Sequence, residues 1–256
     1  MREGEKRSER VCGLIRPNER LDDLMRDGMM ILQRPDGFRF GMDSVLLASF
    51  AAERGGRIRG VDLGTGSGVL PLLICARQPG VTFDAVELQP DIADMAGRSV
   101  QICRMEHRIQ VYGMDLRDAP GRLGRGRYQL VVCNPPYGRA GGGIENLDPG
   151  RRAARHEGEA GIVEICASAG SLLQNGGRLD VVFPAPRLLE LADAMRGAGI
   201  EPKRVRLVHP QYGKAPNLAL VEGVRGAKAM LHFLPPLFVR DENGKETGEL
   251  MSMYRW

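Results

Sequence analysis

The chain has 256 residues, 43% of them hydrophobic, and a formal net charge of +4 from 36 basic and 32 acidic residues. That length and composition suit one sizeable α/β domain, and the charge bias is too mild for a histone-like tail. No apolar run reaches the ~18–20 residues that span a bilayer. The charged start Met1-Arg2-Glu3-Gly4-Glu5-Lys6-Arg7 lacks the apolar stretch of a secretory signal and reads as a disordered tip. Cys12, Cys75, Cys103, Cys133 and Cys166 stand singly, without the Cys-x-x-Cys spacing of a zinc site or the pattern of a disulfide framework. The chain therefore reads as cytoplasmic, reduced and free of metal.

The first fifty residues read as a cap on the core. Met29–Gln33 and Phe38–Phe40 flank the turn-forming Pro35-Asp36-Gly37, which predicts a short hairpin. A helix follows from about Asp43, a suitable N-cap. Strands and helices then alternate: strand Ile58–Leu63, helix Val69–Arg77, strand Thr82–Glu87, helix Asp91–Met105, strands Ile109–Tyr112 and Tyr128–Cys133, helix Glu157–Leu173, strand Gly177–Phe183, helix Pro186–Ala198, strands Pro202–Val208 and Leu218–Val224. Such alternation predicts a mostly parallel sheet with helices on both faces. The last two strands have no helix between them and should pair antiparallel. Near the end, Asn243-Gly244 between short extended segments predicts a hairpin turn. No repeat or linker divides the chain, so residues 1–50 and 51–256 are expected to form one unit, cap and core.

Three strand ends carry chemistry. Val61-Asp62-Leu63-Gly64-Thr65-Gly66-Ser67-Gly68 joins the first core strand to its helix, and glycines there allow a tight turn and close approach of a ligand. Alone this is a weak signal, which a nicotinamide-cofactor site would share. About twenty residues on, Glu87 ends the second core strand, where a carboxylate can accept from both ribose hydroxyls of an adenosine. Asp115, after the third, is placed to accept from an adenine amine. The fourth, Leu130-Val131-Val132-Cys133, runs into Asn134-Pro135-Pro136-Tyr137. Two prolines cannot continue a sheet, so a rigid loop projects at the ligand-binding ends of the strands. The Asn134 amide oxygen and Pro135 carbonyl offer two acceptors, and Tyr137 an aromatic face; together they suit a planar group bearing an NH2.

This constellation resembles the class I methyltransferases that use S-adenosylmethionine, and Asn-Pro-Pro-Tyr resembles the motif of those that methylate exocyclic amines of bases or a glutamine amide. With Gly37-Phe38-Arg39-Phe40-Gly41-Met42-Asp43-Ser44-Val45-Leu46-Leu47-Ala48, Arg155-His156-Glu157, Arg206-Leu207-Val208-His209-Pro210 and Leu220-Val221-Glu222-Gly223, the chain from about Leu21 onward is similar to the bacterial tRNA1(Val) adenine-N6 methyltransferase family. The resemblance implies a Rossmann-like α/β fold with a seven-stranded, mostly parallel sheet and an antiparallel last strand. It implies S-adenosylmethionine as cofactor and a tRNA anticodon loop as partner, the target being the adenine just 3′ of the anticodon. Cofactor contacts fall on Phe40, Asp62, Gly64, Thr65, Gly66, Gly68, Glu87, Leu88, Asp115, Leu116 and Asn134, and catalysis on Asn134, Pro135, Pro136 and Tyr137. The chain departs from the family in the glycine-rich stretch Gly138–Gly150.

Basic clusters at Arg122/Arg125/Arg127, Arg151/Arg152/Arg155 and Lys203/Arg204/Arg206 are either solvated faces or, where two flank the Asn134 loop, phosphate contacts. His156 and His209 read as structural, Tyr112 and Tyr128 as core, and Tyr212 as either a loop aromatic or a stacking platform. Rival readings are a protein glutamine methyltransferase, a DNA adenine methyltransferase and a non-catalytic RNA-binding module on the same fold. The basic bias and the lack of a recognisable helical N-terminal domain argue against the first, the little length left for target recognition against the second, and the intact Asn134 and glycine turn against the third.

Overall fold

The computed structural model describes residues 11, 13–35, 41–135 and 161–255. Its main sheet has the order β5-β4-β3-β6-β7-β9-β8, formed by β3 (Ile58–Leu63), β4 (Val81–Glu87), β5 (Ile109–Gly113), β6 (Tyr128–Cys133), β7 (Leu173–Pro184), β8 (Ile200–His209) and β9 (Leu218–Arg225). The strands β5 to β7 are parallel, and β9 runs antiparallel between β7 and β8. This is the Rossmann-like, seven-stranded arrangement expected from the sequence. Two short strands, β10 (His232–Phe233) and β11 (Leu237–Phe238), extend it by pairing with β8. The described helices are α1 (Met42–Ala52), α2 (Val69–Arg77), α3 (Pro90–Ile102), α4 (Ala119–Leu123), α5 (Ile162–Leu172), α6 (Leu188–Gly197) and α7 (Gly248–Arg255). None is long and apolar enough to cross a membrane.

Continuous apolar runs make the central strands, because both sheet faces are covered. Successive residues of β6 enter opposite cores: Leu130 and Val132 face the layer of α1 and α2, whereas Val131 and Cys133 face α5 and α6. Each large side chain buried in this way contributes roughly 1.5–3 kcal/mol. Gly60 is mid-strand because a β-carbon there would lie 2.6 Å from the Phe83 ring. Tyr128 is fully buried, with its hydroxyl donating to Asp84 Oδ2 at 2.6 Å, and the Arg59 guanidinium sits 4.8 Å over its ring.

Several boundaries differ from the sequence expectation. The helix expected to reach Met105 stops at Ile102, because Arg104 adopts φ 57°. The N–H groups of Arg104 and Met105 turn back to Gln101 and Val100, a left-handed C-terminal cap formed without glycine and so invisible to a search for one. Gly41, not Asp43, occupies the N-cap of α1; Asp43 sits in the first turn, and its Oδ1 accepts the Ser44 N–H at 2.9 Å. β7 begins at Leu173, with its register against β6 shifted between Tyr128 and Leu130. The helix expected from Pro186 opens as a 3-10 turn, Ala185–Arg187, before α6. At the tail, Asp241 Oδ1 accepts the N–H groups of Asn243 and Lys245, and Gly244 takes φ 79°, closing the expected turn.

Near the N-terminus, β2 (Met30–Gln33) pairs antiparallel with β1 (Arg20–Asp23), a strand the sequence reading missed; the expected hairpin limb Phe38–Phe40 lies outside the described residues. This ribbon is fastened to α3. Arg98, 8% exposed, donates to both oxygens of Glu19 at 2.6 Å and to Asp94 at 2.8 Å, and Ser99 Oγ accepts the Leu32 N–H at 3.1 Å. The bond from Arg98 holds the Glu19 carboxyl below its ordinary value of 4.5. A lowered carboxyl stabilises the fold above its unfolded value and loses that contribution as pH falls through the folded one.

Arg98→Ala is expected to cost about 1.5–3 kcal/mol, because it removes the charge-assisted bonds to Glu19 and leaves that carboxylate, among the described residues, only the Arg16 N–H. Urea unfolding at neutral pH measures this. The difference between variant and wild type should shrink on acidification below the ordinary carboxylate range; a pH-independent difference would show that the ion pair is not its source.

Candidate active site

The strand order reverses between β3 and β6: the chain moves outward through β4 and β5, then returns to place β6 beside β3. A crevice at the carboxyl ends is the consequence. There the glycine turn and Asn134 become neighbours, and Cys133 Sγ donates to the Leu63 carbonyl at 3.0 Å.

Gly64, Gly66 and Gly68 take φ of 76°, 56° and 88°, a region that side chains disfavour. The N–H groups of Gly64 and Thr65 both reach the Val86 carbonyl at 2.9 Å, which ties the turn to β4. A β-carbon at Gly64 or Gly66 would meet no described atom within 4 Å, so this backbone face is open to a ligand. Asp62 is fully buried, and its Oδ2 accepts the Thr65 hydroxyl at 2.6 Å. It does not cap α2, whose N-cap is Gly68 with no side-chain bond. Its Oδ1 has no hydrogen-bond partner among the described residues. Burial pushes the Asp62 carboxyl up to about 7 against the opposing Thr65 bond, and the charge of Glu87 adds to the rise.

Glu87 is buried at the end of β4, with Oε2 accepting the Gly66 N–H at 2.9 Å and Oε1 the Gln89 N–H at 3.0 Å. Two backbone donors thus fix its orientation, while a carboxylate with four lone-pair sites keeps capacity for a ligand. Leu88 beside it is 43% exposed. Beyond β5, Asp115 is gripped by Arg117 through its guanidinium and its backbone N–H, and that contact holds the Asp115 carboxyl below its ordinary value. The sequence reading missed Arg117. Leu116 is half-buried against the α5–α6 core.

Asn134 is half-buried and Pro135 buried at the end of β6. The Asn134 Nδ2 donates to Ser44 Oγ on α1 at 3.1 Å, a contact spanning 90 residues of sequence and also unanticipated. Phe40, Pro136, Tyr137, Gly138–Gly150, Arg151, Arg152, Arg155 and His156 lie outside the described residues.

The basic clusters divide. Arg122, Arg125 and Arg127 are exposed on the segment entering β6, at the end of the strand opposite Asn134, so they do not flank its loop. Lys203, Arg204 and Arg206 are largely spent inside the fold: Arg204 pairs with Glu53 and Glu222, Arg206 with Glu249, and Lys203 donates to the Lys228 carbonyl at 3.0 Å. His209 Nδ1 lies 2.6 Å from the Lys214 carbonyl, with its ring centroid 4.9 Å from that of Phe238, a structural setting. Tyr212 is 55% exposed, its ring 5.2 Å from Phe238, in the loop leaving the carboxyl end of β8.

Residues 41–197 match the family described as methyltransferase small domain. A tRNA1(Val) (adenine(37)-N6)-methyltransferase of Tolumonas auensis is 34% identical over 72% of this chain and 75% of its own length. One of Shewanella amazonensis is 29% identical over 86% and 93%. Among solved structures, a predicted O-methyltransferase from Agrobacterium tumefaciens aligns with a TM-score of 0.68 at 23% identity, over 83% of this chain and 96% of its own. A 16S rRNA N2 G1207 methyltransferase from Thermus thermophilus aligns with a TM-score of 0.58 at 15% identity, over 82% and 51%; at these identities the likeness is one of fold. The sequence relationship is closer, and this chain belongs to the tRNA1(Val) (adenine(37)-N6)-methyltransferase family.

Proposed function

We propose that the protein transfers a methyl group from S-adenosylmethionine to the exocyclic N6 amine of adenine 37, beside the anticodon of a tRNA. The observation that carries this reading is Asn134 at the carboxyl end of β6, next to the open glycine turn, with its Nδ2 committed to Ser44. The amide arm left for a substrate is then the acceptor, Oδ1, and an amine with two N–H groups needs acceptors. The relatives named for adenine(37)-N6 methylation of tRNA1(Val) support the same target.

The residues around the crevice fit the cofactor. Its positive charge suits a site holding two buried carboxylates, Asp62 with an Oδ1 that has no hydrogen-bond partner among the described residues and Glu87 anchored by backbone N–H groups. The open faces of Gly64 and Gly66 permit close approach, Glu87 is placed for the ribose hydroxyls, and Asp115 with Leu88 and Leu116 for the adenine. Phe40 belongs to the same cofactor proposal. When bound, S-adenosylmethionine supplies an electrophilic methyl carbon on a sulfonium that departs as a neutral thioether.

The chain's part is to bind, orient and accept. Asn134 Oδ1 and the Pro135 carbonyl take the two amine hydrogens. As the nitrogen forms its bond to the methyl carbon, these dipoles stabilise the positive charge that grows on it. One hydrogen then leaves as a proton to water. Pro135 and Pro136 keep the acceptors rigid, and Tyr137 stacks on the base. The anticodon loop is single-stranded, so unstacking its adenine costs little.

Asn134→Ala should reduce N6-methyladenosine formation about 10²–10³-fold with nearly unchanged cofactor affinity. The assay uses labelled S-adenosylmethionine and a tRNA pool lacking the modification, digested to nucleosides; wild-type rates in the variant would overturn the mechanism. Cofactor binding should also strengthen as pH rises from about 6 to 8, because a cationic ligand favours ionised Asp62 and its proton is released on binding. Calorimetry in buffers of different ionisation enthalpy reads that proton, and Asp62→Asn should bind more weakly with a flatter profile. An identical pH profile in wild type and variant would remove Asp62 from the cofactor site.

A further inference from the structure

We infer that Ser44 is a positioning residue that sets the rotation of the Asn134 amide, so that its oxygen rather than its nitrogen is presented to the methyl acceptor. The inference rests on the proposed role of Asn134 and adds what makes that role possible.

An asparagine side chain is nearly symmetric in shape but opposite in chemistry at its two ends. A half-turn about its last bond exchanges an acceptor for a pair of donors. For a substrate amine that exchange is decisive: an oxygen draws on its N–H groups, whereas an NH2 opposes donors with donors. Packing distinguishes the two orientations poorly, so a polar neighbour must choose.

Ser44 meets that need. It is 1% exposed, in the first turn of α1, and its Oγ lies 3.1 Å from Asn134 Nδ2. Its own place is fixed, because its N–H is bonded to the Gly41 carbonyl at 3.2 Å and to Asp43 Oδ1 at 2.9 Å. The α1 helix is wedged against α2 and β7, so it behaves as part of the core rather than as a mobile flap. The Ser44 hydroxyl, which can accept as well as donate, stands as the acceptor for Asn134 Nδ2. With Nδ2 held by Ser44, Oδ1 becomes the arm for the substrate.

The same contact gives the segment before the glycine motif a function. Gly41-Met42-Asp43-Ser44 reaches the centre of the proposed chemistry through the Ser44 side chain.

The test compares wild type, Ser44→Ala, Ser44→Thr, Asn134→Ala and the Ser44→Ala/Asn134→Ala double variant, with kcat and KM on tRNA and cofactor affinity by calorimetry. Ser44→Ala should lower kcat about tenfold, the scale of one lost hydrogen bond, with KM and cofactor affinity unchanged. Ser44→Thr, which restores a hydroxyl, should recover most of the loss. In the Asn134→Ala background, Ser44→Ala should do nothing further, because the group it positions is gone. Full kcat in Ser44→Ala, or a second loss of equal size in the double variant, would overturn the inference. If the wild type methylates no RNA, the functional reading fails and Ser44 is judged by NMR instead. The Asn134 side-chain amide protons should exchange slowly with water in the wild type and quickly in Ser44→Ala, and equal exchange in both would overturn the inference on its own.

Discussion

The parallel pairing of β3 with β6 is the constraint on which the site depends. Residues 60–62 lie opposite 130–132, so the two strands end level and their following loops emerge together. Nearly seventy residues separate those loops in the chain, and the intervening excursion through β4 and β5 brings Glu87 and Asp115 to the same edge. Parallel strands carry their carboxyl ends at one edge of the sheet, and the right-handed crossovers between them decide on which face each helix packs. Cofactor and substrate functions can therefore sit on separate loops and still converge. The glycine turn, with three positive φ values and no room demanded by side chains, is the piece that leaves the crevice open.

The described N-terminal residues pack onto the core rather than standing apart from it. The ribbon of β1 and β2 is clamped to α3 by a largely buried arginine with two carboxylate partners, and α1 packs into the core beside it. It is the packing of α1 against α2 and β7 that brings Ser44 to Asn134. A side chain that must hold an amide in one of two nearly isosteric orientations is best carried by an element that does not move, and a helix packed on both a strand and another helix meets that condition.

Charge plays two different roles in the molecule. Arg204, Arg98 and Arg59 serve buried carboxylates and Arg206 pairs with Glu249 at the surface, so a count of basic residues overstates what is offered to a polyanion. The exposed Arg122, Arg125 and Arg127 lie at the far end of β6 from Asn134, where they do not bear on the methyl acceptor. Near the carboxyl ends of the strands, the described surface offers an exposed aromatic, Tyr212, supported by Phe238.

The order of strands and helices was legible because its causes are local. Apolar runs such as Leu130–Cys133, glycines at the β3–α2 turn and a double proline after β6 act on their own segments. They placed α2 and β6 to the residue. The same locality made Asp62, Glu87 and Asn134 recognisable as residues at strand ends. What failed also had a physical reason. The end of α3 depends on a left-handed arginine, and Asp43 lost the N-cap position to Gly41, choices made by backbone geometry rather than residue preference. The pairing of β1 with β2 and the commitment of Arg204 to Glu222 are decided only when distant segments meet. So is the bond between Ser44 and Asn134, across 90 residues. The sequence by itself determined the elements, the loops that carry the chemistry and the types of group available. Only the tertiary structure decided which of those groups touch, because hydrogen bonds and ion pairs select partners by distance and direction, which the linear order of residues does not contain.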